Sequence, residues 1–212
     1  MTPSSVSSPA AAAPPGAWAT ASAPPRPRAP LDRAQRVDAR SLVGGLLGFL
    51  ALGAAAALGE PLLEGTSLRL VPSVLMVELS AMALTTPALI ALHQFLDLEA
   101  PPEALAAACG RALVHGGRVA GGLTPLVLFY AATTSLGVFA MLVSLAAVGV
   151  FTTVTACVSL NRVELRATPP AQPGREAMVA PRFTLLVLAW VALSWVIALR
   201  VGVDVGTWVT SY

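Results

Sequence analysis

The sequence predicts an all-α fold, a polytopic transmembrane helical bundle with about five spans. Two observations predict it. The chain of 212 residues is 56% hydrophobic and only 11% charged, with a mean hydropathy of +0.74, whereas a soluble domain carries about 25% charged residues. Several uninterrupted apolar runs also reach the roughly 20 residues that a helix needs to cross the hydrocarbon core of a bilayer. The composition therefore favours an integral membrane protein, with the lipid bilayer as its first partner.

Residues 1–40 differ from the rest of the chain because Pro, Ala and Ser dominate them and large aliphatic side chains are almost absent. Such a segment cannot bury enough apolar surface to offset the entropy of ordering it, so we expect a disordered cytosolic tail. Five arginines against two aspartates make it basic. This pattern is typical of a solvated tail that anchors at the membrane surface. A sharper interpretation is a docking arm for a protein partner, with Trp18 as its anchor.

The first predicted span, residues 41–59, is rich in small residues. Gly44 and Gly48 form a GxxxG pair, which lets two helices approach closely. We expect this face to pack against another helix of the bundle. A homo-oligomer formed through the same face is the alternative, and a cleaved signal peptide is a third interpretation, which the 40-residue polar prefix disfavours.

The second predicted span covers residues 70–93 and contains Glu78 and Pro87. Proline inside a membrane helix frees a backbone carbonyl, so we expect a kink at Pro87. A polar interlude follows, in which apolar and polar residues alternate at helical spacing over residues 102–115. This pattern predicts a short interfacial amphipathic helix that begins at Pro102 and is ended by Gly116 and Gly117.

Residues 118–160 form one apolar stretch of 43 residues, which as a helix would measure about 64 Å, twice a bilayer. The stretch must therefore turn back, and Thr133 to Gly137 is the expected turn. Spans three and four are predicted at residues 118–135 and 138–160, with a second kink at Pro125. The fifth span is predicted at residues 183–203.

The distribution of arginine gives a direction to these five spans. There are five arginines in the tail, one in the first loop, two in the second, none in the third and four in the fourth, with one more near the C-terminus. Cytosolic loops carry the excess of positive charge. The alternation predicts a cytosolic N-terminus and an external C-terminus. The absence of Lys and the abundance of Ala, Gly and Pro are typical of a GC-rich bacterial genome, so we expect the cell (inner) membrane.

Glu78 is the main candidate for a polar site within the membrane. A carboxylate at the centre of a span costs about 2.5–3.5 kcal/mol on insertion scales, so it usually faces protein, water or an opposite charge. Arg200 falls at a similar depth in the outer half, with Asp204 one turn further along the same helix. We expect a Glu78–Arg200 ion pair that fixes helix register. A proton- or ion-coupling carboxylate and a residue facing a water crevice or oligomer contact are the alternatives.

The remaining polar residues indicate no catalytic, cofactor-binding or metal site. Cys109 and Cys157 are far apart, and with His93 and His115 they do not form the spacings of a zinc site. An intramembrane protease would need a Ser–His pair, paired carboxylates or a His cluster at membrane depth. A net charge of only +2 also disfavours nucleic acid as a partner. We therefore expect a protein that is not an enzyme.

The order of features resembles the Yip1-like family of five-span membrane proteins. The points of similarity are the basic, Pro-rich N-terminal tail, the Pro-containing segment TTPALIALHQFL, and a Gly–Pro helix entry, GGLTPLVLF, that runs into a helical hairpin. The acidic-aromatic-Gly-Pro signature of the eukaryotic members is absent, because Thr85, Thr86 and Pro87 stand there. The resemblance implies a role in membrane organisation or trafficking. The predicted function is thus a membrane-organising or partner-binding subunit, and the alternative is a small transporter or channel component that uses Glu78.

Overall fold

A computed structural model describes residues 37–58, 67–167 and 176–210 of the chain. These residues form five α-helices and no strand. Each helix contains one of the five predicted spans, apart from the few span residues that lie outside the described ranges. All five helices are long and apolar enough to cross a membrane, so the prediction of a polytopic transmembrane helical bundle is confirmed. The helices are α1 Ala39–Ala57, α2 Ser67–Phe95, α3 Pro102–Thr133, α4 Gly137–Ala167 and α5 Glu176–Thr210.

The middle helices are longer than a bilayer is thick. With 32 and 31 residues, α3 and α4 measure about 48 and 46 Å, against about 30 Å for the hydrocarbon core. Their ends must therefore extend beyond the apolar layer. The turn expected between them is confirmed: Thr134 ends α3, its hydroxyl accepts a hydrogen bond from the Leu136 amide at 3.1 Å, and α4 starts at Gly137.

The expectation of a separate interfacial helix over residues 102–115 is wrong. The segment is helical and begins at Pro102 as predicted, but α3 continues through Gly116 and Gly117 to Thr133 without a break. The two glycines serve helix packing instead of termination. A Cβ atom at Gly116 would overlap the Thr152 side chain, and one at Gly117 would overlap the backbone of Gly45.

The helices pack in a consistent order. α1 packs against α3 and α2, α3 packs against α4, and α5 packs mainly against α2. A first apolar cluster contains residues of α1, α2, α3 and α4, with Phe49, Leu52 and Val148 at its centre. A second cluster lies toward the other end of the bundle and brings in α5 through Phe183 and Trp190. α5 is the most exposed of the five candidate spans.

Glycines allow α1 to contact α3, as the sequence predicts. The contact uses Gly45 and Gly48, however, and not the predicted pair of Gly44 and Gly48. Gly45 and Gly48 are buried against the backbone of Val114 and Gly117, whereas Gly44 is exposed and a Cβ atom there would meet nothing within 4 Å among the described residues. The reason is helical phase. The buried face of α1 runs through Gly45, Gly48 and Phe49, and Gly44 lies at its edge.

The two prolines expected to kink helices lie inside continuous helices. Pro87 is within α2 and Pro125 is within α3. Near Pro87, the Thr85 hydroxyl donates a 2.7 Å hydrogen bond to the Ala81 carbonyl, so this hydroxyl does not serve the Ala83 carbonyl that Pro87 leaves without its amide. A bend at either proline stays a prediction. The predicted disordered tail lies outside the described residues except at its end, where α1 already begins at Ala39.

The glycine contact can be tested with two substitutions one helical turn apart. Gly48→Ala should lower the free energy of unfolding in detergent by about 1–3 kcal/mol, because the new methyl group must push the α3 backbone away. Gly44→Ala should be neutral or raise stability by up to about 1 kcal/mol, because alanine is the better helix former and has room here. Equal effects of the two substitutions would contradict this packing.

Candidate functional site

The bundle contains a crevice between α2, α4 and α5, with a cavity volume of about 330 Å³. It exists because α4 packs on α3 while α5 packs on α2, so that α4 and α5 diverge with α2 as the floor between them. Small residues on the facing helices keep it open. Its walls are formed chiefly by Val77, Glu78, Ala81 and Met82 of α2, by Leu142, Leu145, Ala146, Gly149, Thr152 and Thr153 of α4, and by Trp190, Ser194, Trp195, Ala198, Leu199, Gly202 and Val203 of α5.

Glu78 lies in the wall of this crevice and is only 9% exposed. It stands about 16 Å along α2 from Ser67, well inside the span. A Cβ atom built on Gly149 would lie 3.5 Å from Glu78 Oε1 and 3.4 Å from the Trp195 ring. The absence of a side chain at Gly149 therefore brings the carboxylate and the indole together over the α4 backbone.

The structure does not bring Glu78 and Arg200 together. Arg200 Nε lies 3.2 Å from Asp204 Oδ2, and these side chains are 76% and 56% exposed. Neither Arg200 nor Asp204 lines the crevice, because the face of α5 that is directed toward the crevice contains Ser194, Ala198 and Gly202. The predicted Glu78–Arg200 pair is therefore replaced by an exposed Arg200–Asp204 pair. Within the described residues, no hydrogen bond or ion pair reaches the Glu78 carboxylate.

Hydroxyl groups tie the floor of the crevice to α5. Ser194 Oγ lies 2.8 Å from the Trp190 carbonyl and 3.1 Å from Thr85 Oγ1. Because Thr85 is fully buried and donates to Ala81, it can accept the hydrogen of Ser194. This contact fixes the face of α5 that carries both crevice tryptophans.

Two buried polar atoms in the crevice walls lack a hydrogen-bond partner among the described residues. They are Trp190 Nε1 and Thr152 Oγ1. The Thr152 hydroxyl contacts Gly116 on α3, so it is turned toward the helix interface. Buried polar groups without partners are rare in native proteins. Both atoms are enclosed by the protein, so the Glu78 carboxylate is the main polar group of an otherwise largely apolar surface.

The mouth of the crevice lies between the apolar faces of α4 and α5. Leu142 on α4 and Leu199 and Val203 on α5 line the crevice and are also more than half exposed on the outside of the bundle. Such faces on membrane-spanning helices contact acyl chains. The crevice thus opens sideways to the bilayer, so that a molecule dissolved in the membrane can enter it.

A second buried polar group lies at the end of the bundle where α2 and α4 finish. His93 Nε2 is 2.8 Å from Glu164 Oε2, and both side chains are buried. A carboxylate has no hydrogen to donate, so His93 Nε2 carries the hydrogen and donates it. The other carboxylate oxygen accepts from the Glu99 amide at 3.1 Å, and Oε2 also accepts from the Ala100 amide at 3.3 Å.

These bonds close the connection between α2 and α3. The Leu98 amide bonds to the His93 carbonyl and the Asp97 amide to the Gln94 carbonyl, while Asp97 has a φ of 51°. This is the Schellman geometry, with aspartate in the left-handed position that glycine usually fills. Glu164 then binds the next two amides of the loop. Both Glu164 oxygens accept hydrogen bonds, whereas His93 Nδ1 is buried without a partner among the described residues. Because its contacts close the α2–α3 connection, we assign Glu164 a structural role.

The sequence analysis did not identify Glu164 as a structural residue. The fourth span was expected to end at residue 160, and Glu164 lies beyond that end, although α4 continues to Ala167. Thr152, Ala156 and Leu160 are all buried and recur every four residues. Continuing that period past the apolar run reaches Glu164, and this is the signal that indicates its burial. His93, expected at the membrane edge, is fully buried.

The described residues contain no group of three or more His, Cys, Asp or Glu side chains that could hold a metal ion. Cys109 is buried and Cys157 is half-buried, and both are free thiols. No family model matches the chain, and comparisons with curated proteins and with solved structures find no match. The resemblance to the Yip1-like family therefore stays a prediction.

The structural role of Glu164 has a measurable consequence. Glu164→Ala should lower the free energy of unfolding by about 3–5 kcal/mol, because it leaves a buried histidine and two loop amides without their acceptor. Glu164→Gln should cost less, since its amide oxygen still accepts. Arg162→Ala on the exposed side of α4 is the matched control. Thermal unfolding in detergent compares the three variants, and a loss no larger than that of the control would disprove this role.

Proposed function

We propose that this chain is a non-enzymatic integral membrane protein that binds a small lipophilic molecule, which it takes from the bilayer into the crevice of α2, α4 and α5. One observation carries the proposal: a buried carboxylate that has no ion-pair partner among the described residues lies in a cavity of about 330 Å³ between apolar, outward-facing helices. This is the transporter or channel-component alternative that the sequence offered, with ligand binding as its first step.

The energetics of Glu78 support a binding role over a role in helix registration. A carboxylate costs about 2.5–3.5 kcal/mol in the middle of a span, and an ion pair with Arg200 would have explained its presence. Arg200 pairs with Asp204 instead. An uncharged residue could replace Glu78 without loss of any described hydrogen bond, so the presence of a carboxylate here is best explained by what enters the crevice.

The cavity has the character of a ligand site. Small-molecule sites are concave, mostly apolar and contain few polar groups, with volumes of about 300–1,000 Å³. The crevice lies near the lower end of that range. Glu78, Thr153 and Ser194 supply polar groups, and the rest of the wall is mainly aliphatic, aromatic or small. A compact ligand with one polar group and an apolar body fits this combination.

The proposed orientation follows from the charge distribution. The ends of α2 and α4 lie beside the starts of α3 and α5, and the segments there carry most of the arginines that follow the first span. By the positive-inside tendency this end is cytosolic, which places the N-terminus in the cytosol and the C-terminus outside. We propose the cell (inner) membrane of a bacterium as the location, on compositional grounds.

A second candidate is the membrane-organising or partner-binding subunit that the Yip1-like resemblance implies. The observation that favours it is the wide apolar face of α5, where Leu188, Leu193 and Val196 are exposed. Lipid or a partner helix can cover such a face. Residues 1–40, the proposed docking arm, lie almost entirely outside the described residues.

Ligand entry can be tested with Gly149→Leu. Its Cβ atom makes only ordinary contacts, so the protein should fold while the rest of the side chain fills the crevice. A lipophilic diazirine probe in phosphatidylcholine proteoliposomes should label crevice residues of α4 and α5 saturably in the native protein. The saturable component should fall at least about tenfold in the variant, which corresponds to about 1.4 kcal/mol of binding free energy.

Gly122→Leu is the control for that experiment, because Gly122 is exposed on α3 and a Cβ atom there meets nothing within 4 Å. It should leave labelling unchanged. Labelling that never saturates, or that both variants reduce equally, would argue against a ligand site.

The orientation has its own test, with single cysteines introduced into a chain whose two native cysteines are replaced by alanine. Ser135→Cys lies in the exposed turn between α3 and α4, and Gln94→Cys lies on the exposed side of α2 at the opposite end. On intact cells a membrane-impermeant maleimide should modify the first and reach the second only after permeabilisation. The reverse pattern would invert the proposed topology.

A further inference from the structure

The crevice has an unbalanced charge. Of the residues that line it, Glu78 alone has an ionisable side chain. Arg69, the basic residue nearest to Glu78 along α2, donates to the Trp208 carbonyl at 3.0 Å and lies over the Trp208 ring, and Arg200 pairs with Asp204. A carboxylate in a low-dielectric site attracts an opposite charge far more strongly than it would in water. An anionic ligand would meet like charge here, whereas a bound cation would take the place of the proton that neutralises an unpaired buried carboxyl group.

The aromatic wall also favours a cation. The Trp195 ring and Glu78 Oε1 lie 3.4 Å and 3.5 Å from the position that a Cβ atom of Gly149 would take, and Trp190 also lines the crevice. A positively charged group is attracted to the face of an indole ring, and the attraction grows when water is excluded. An ammonium group near Gly149 can therefore contact the carboxylate and the Trp195 ring together. Bare metal ions are disfavoured because they require several oxygen ligands, and the wall offers one carboxylate.

The shape of the crevice specifies the rest of the ligand. From Glu78 the walls become apolar, and the opening between Leu142 and Leu199 faces the acyl chains. A hydrocarbon substituent can extend through this opening while the charged group remains inside. Such a molecule would partition into the bilayer before it binds.

We propose that the crevice binds a lipophilic organic cation, with an ammonium group held between the Glu78 carboxylate and the Trp195 indole and an apolar chain directed out between α4 and α5. The inference rests on the proposed ligand-binding function and names the chemical class of the ligand.

Two photoactivatable probes with the same decyl chain test this assignment. One ends in trimethylammonium, and the other has carbon in place of the ammonium nitrogen, so the two differ in charge and hardly in shape. Both are titrated as mole fractions in phosphatidylcholine proteoliposomes that contain the full chain. The native protein should bind the cation at least about tenfold more tightly, as expected for one charge-assisted contact.

Substitutions then locate the selectivity. Glu78→Gln should remove the preference for the cation while the neutral probe still binds saturably, and this binding reports that the variant is folded. Trp195→Leu should weaken the cation severalfold, and Trp195→Phe should weaken it less because a ring face remains. Asp204→Asn, a carboxylate of α5 outside the crevice, should change neither affinity.

The outcomes separate this inference from the function on which it rests. Saturable binding of both probes with equal affinity overturns the cationic assignment and leaves the binding function intact. Selectivity that survives Glu78→Gln, or that disappears with Asp204→Asn, also overturns it. If neither probe binds saturably, the binding function itself is wrong.

Discussion

A polar side chain inside a membrane bundle has no water to solvate it, so it must be satisfied by the protein or by something that the protein admits. The bundle contains two buried glutamates that meet this constraint in opposite ways. Glu164 is surrounded by donors, namely His93 and the amides of Glu99 and Ala100. Glu78 is surrounded by aliphatic and aromatic side chains and faces a cavity. The first glutamate stabilises the fold, and the second has no described contact that would give it the same role.

The cavity itself is a consequence of how tightly the other helices pack. Gly45, Gly48 and Gly117 allow the backbones of α1 and α3 to touch, and Gly116 lets Thr152 of α4 approach α3. These contacts draw α4 toward the α1–α3 side of the bundle. α5 is held instead by α2, through the Ser194–Thr85 contact and the cluster around Trp190. The space between α4 and α5 therefore remains unfilled beside Glu78.

The sequence was sufficient to predict those parts of the fold that depend on length and hydropathy. Five apolar runs predicted five spans, and the excessive length of residues 118–160 predicted the hairpin turn near Thr134. The prediction of helix ends from the sequence failed where helices extend beyond the apolar layer. Glu103, Arg111 and His115 suggested a separate interfacial helix, although a long helix can simply project beyond the apolar layer, as α3 does. The buried Glu164 was missed for the same reason, because its helix continues past the apolar run.

The sequence predicted how deep Glu78 and Arg200 lie along their helices, but not the direction in which their side chains point. Residue counts gave Glu78 and Arg200 similar depths, and that estimate was the basis of the predicted pair. Depth along a helix does not specify the direction of a side chain around it, which depends on which neighbour each helix chooses. α5 turns Ser194, Ala198 and Gly202 toward the crevice, and this phase carries Arg200 outward to Asp204. The same rotation places the Trp195 ring near Gly149, beside the position of Glu78 Oε1. One rotational choice thus turns the cation of α5 away from the crevice and an aromatic ring toward it.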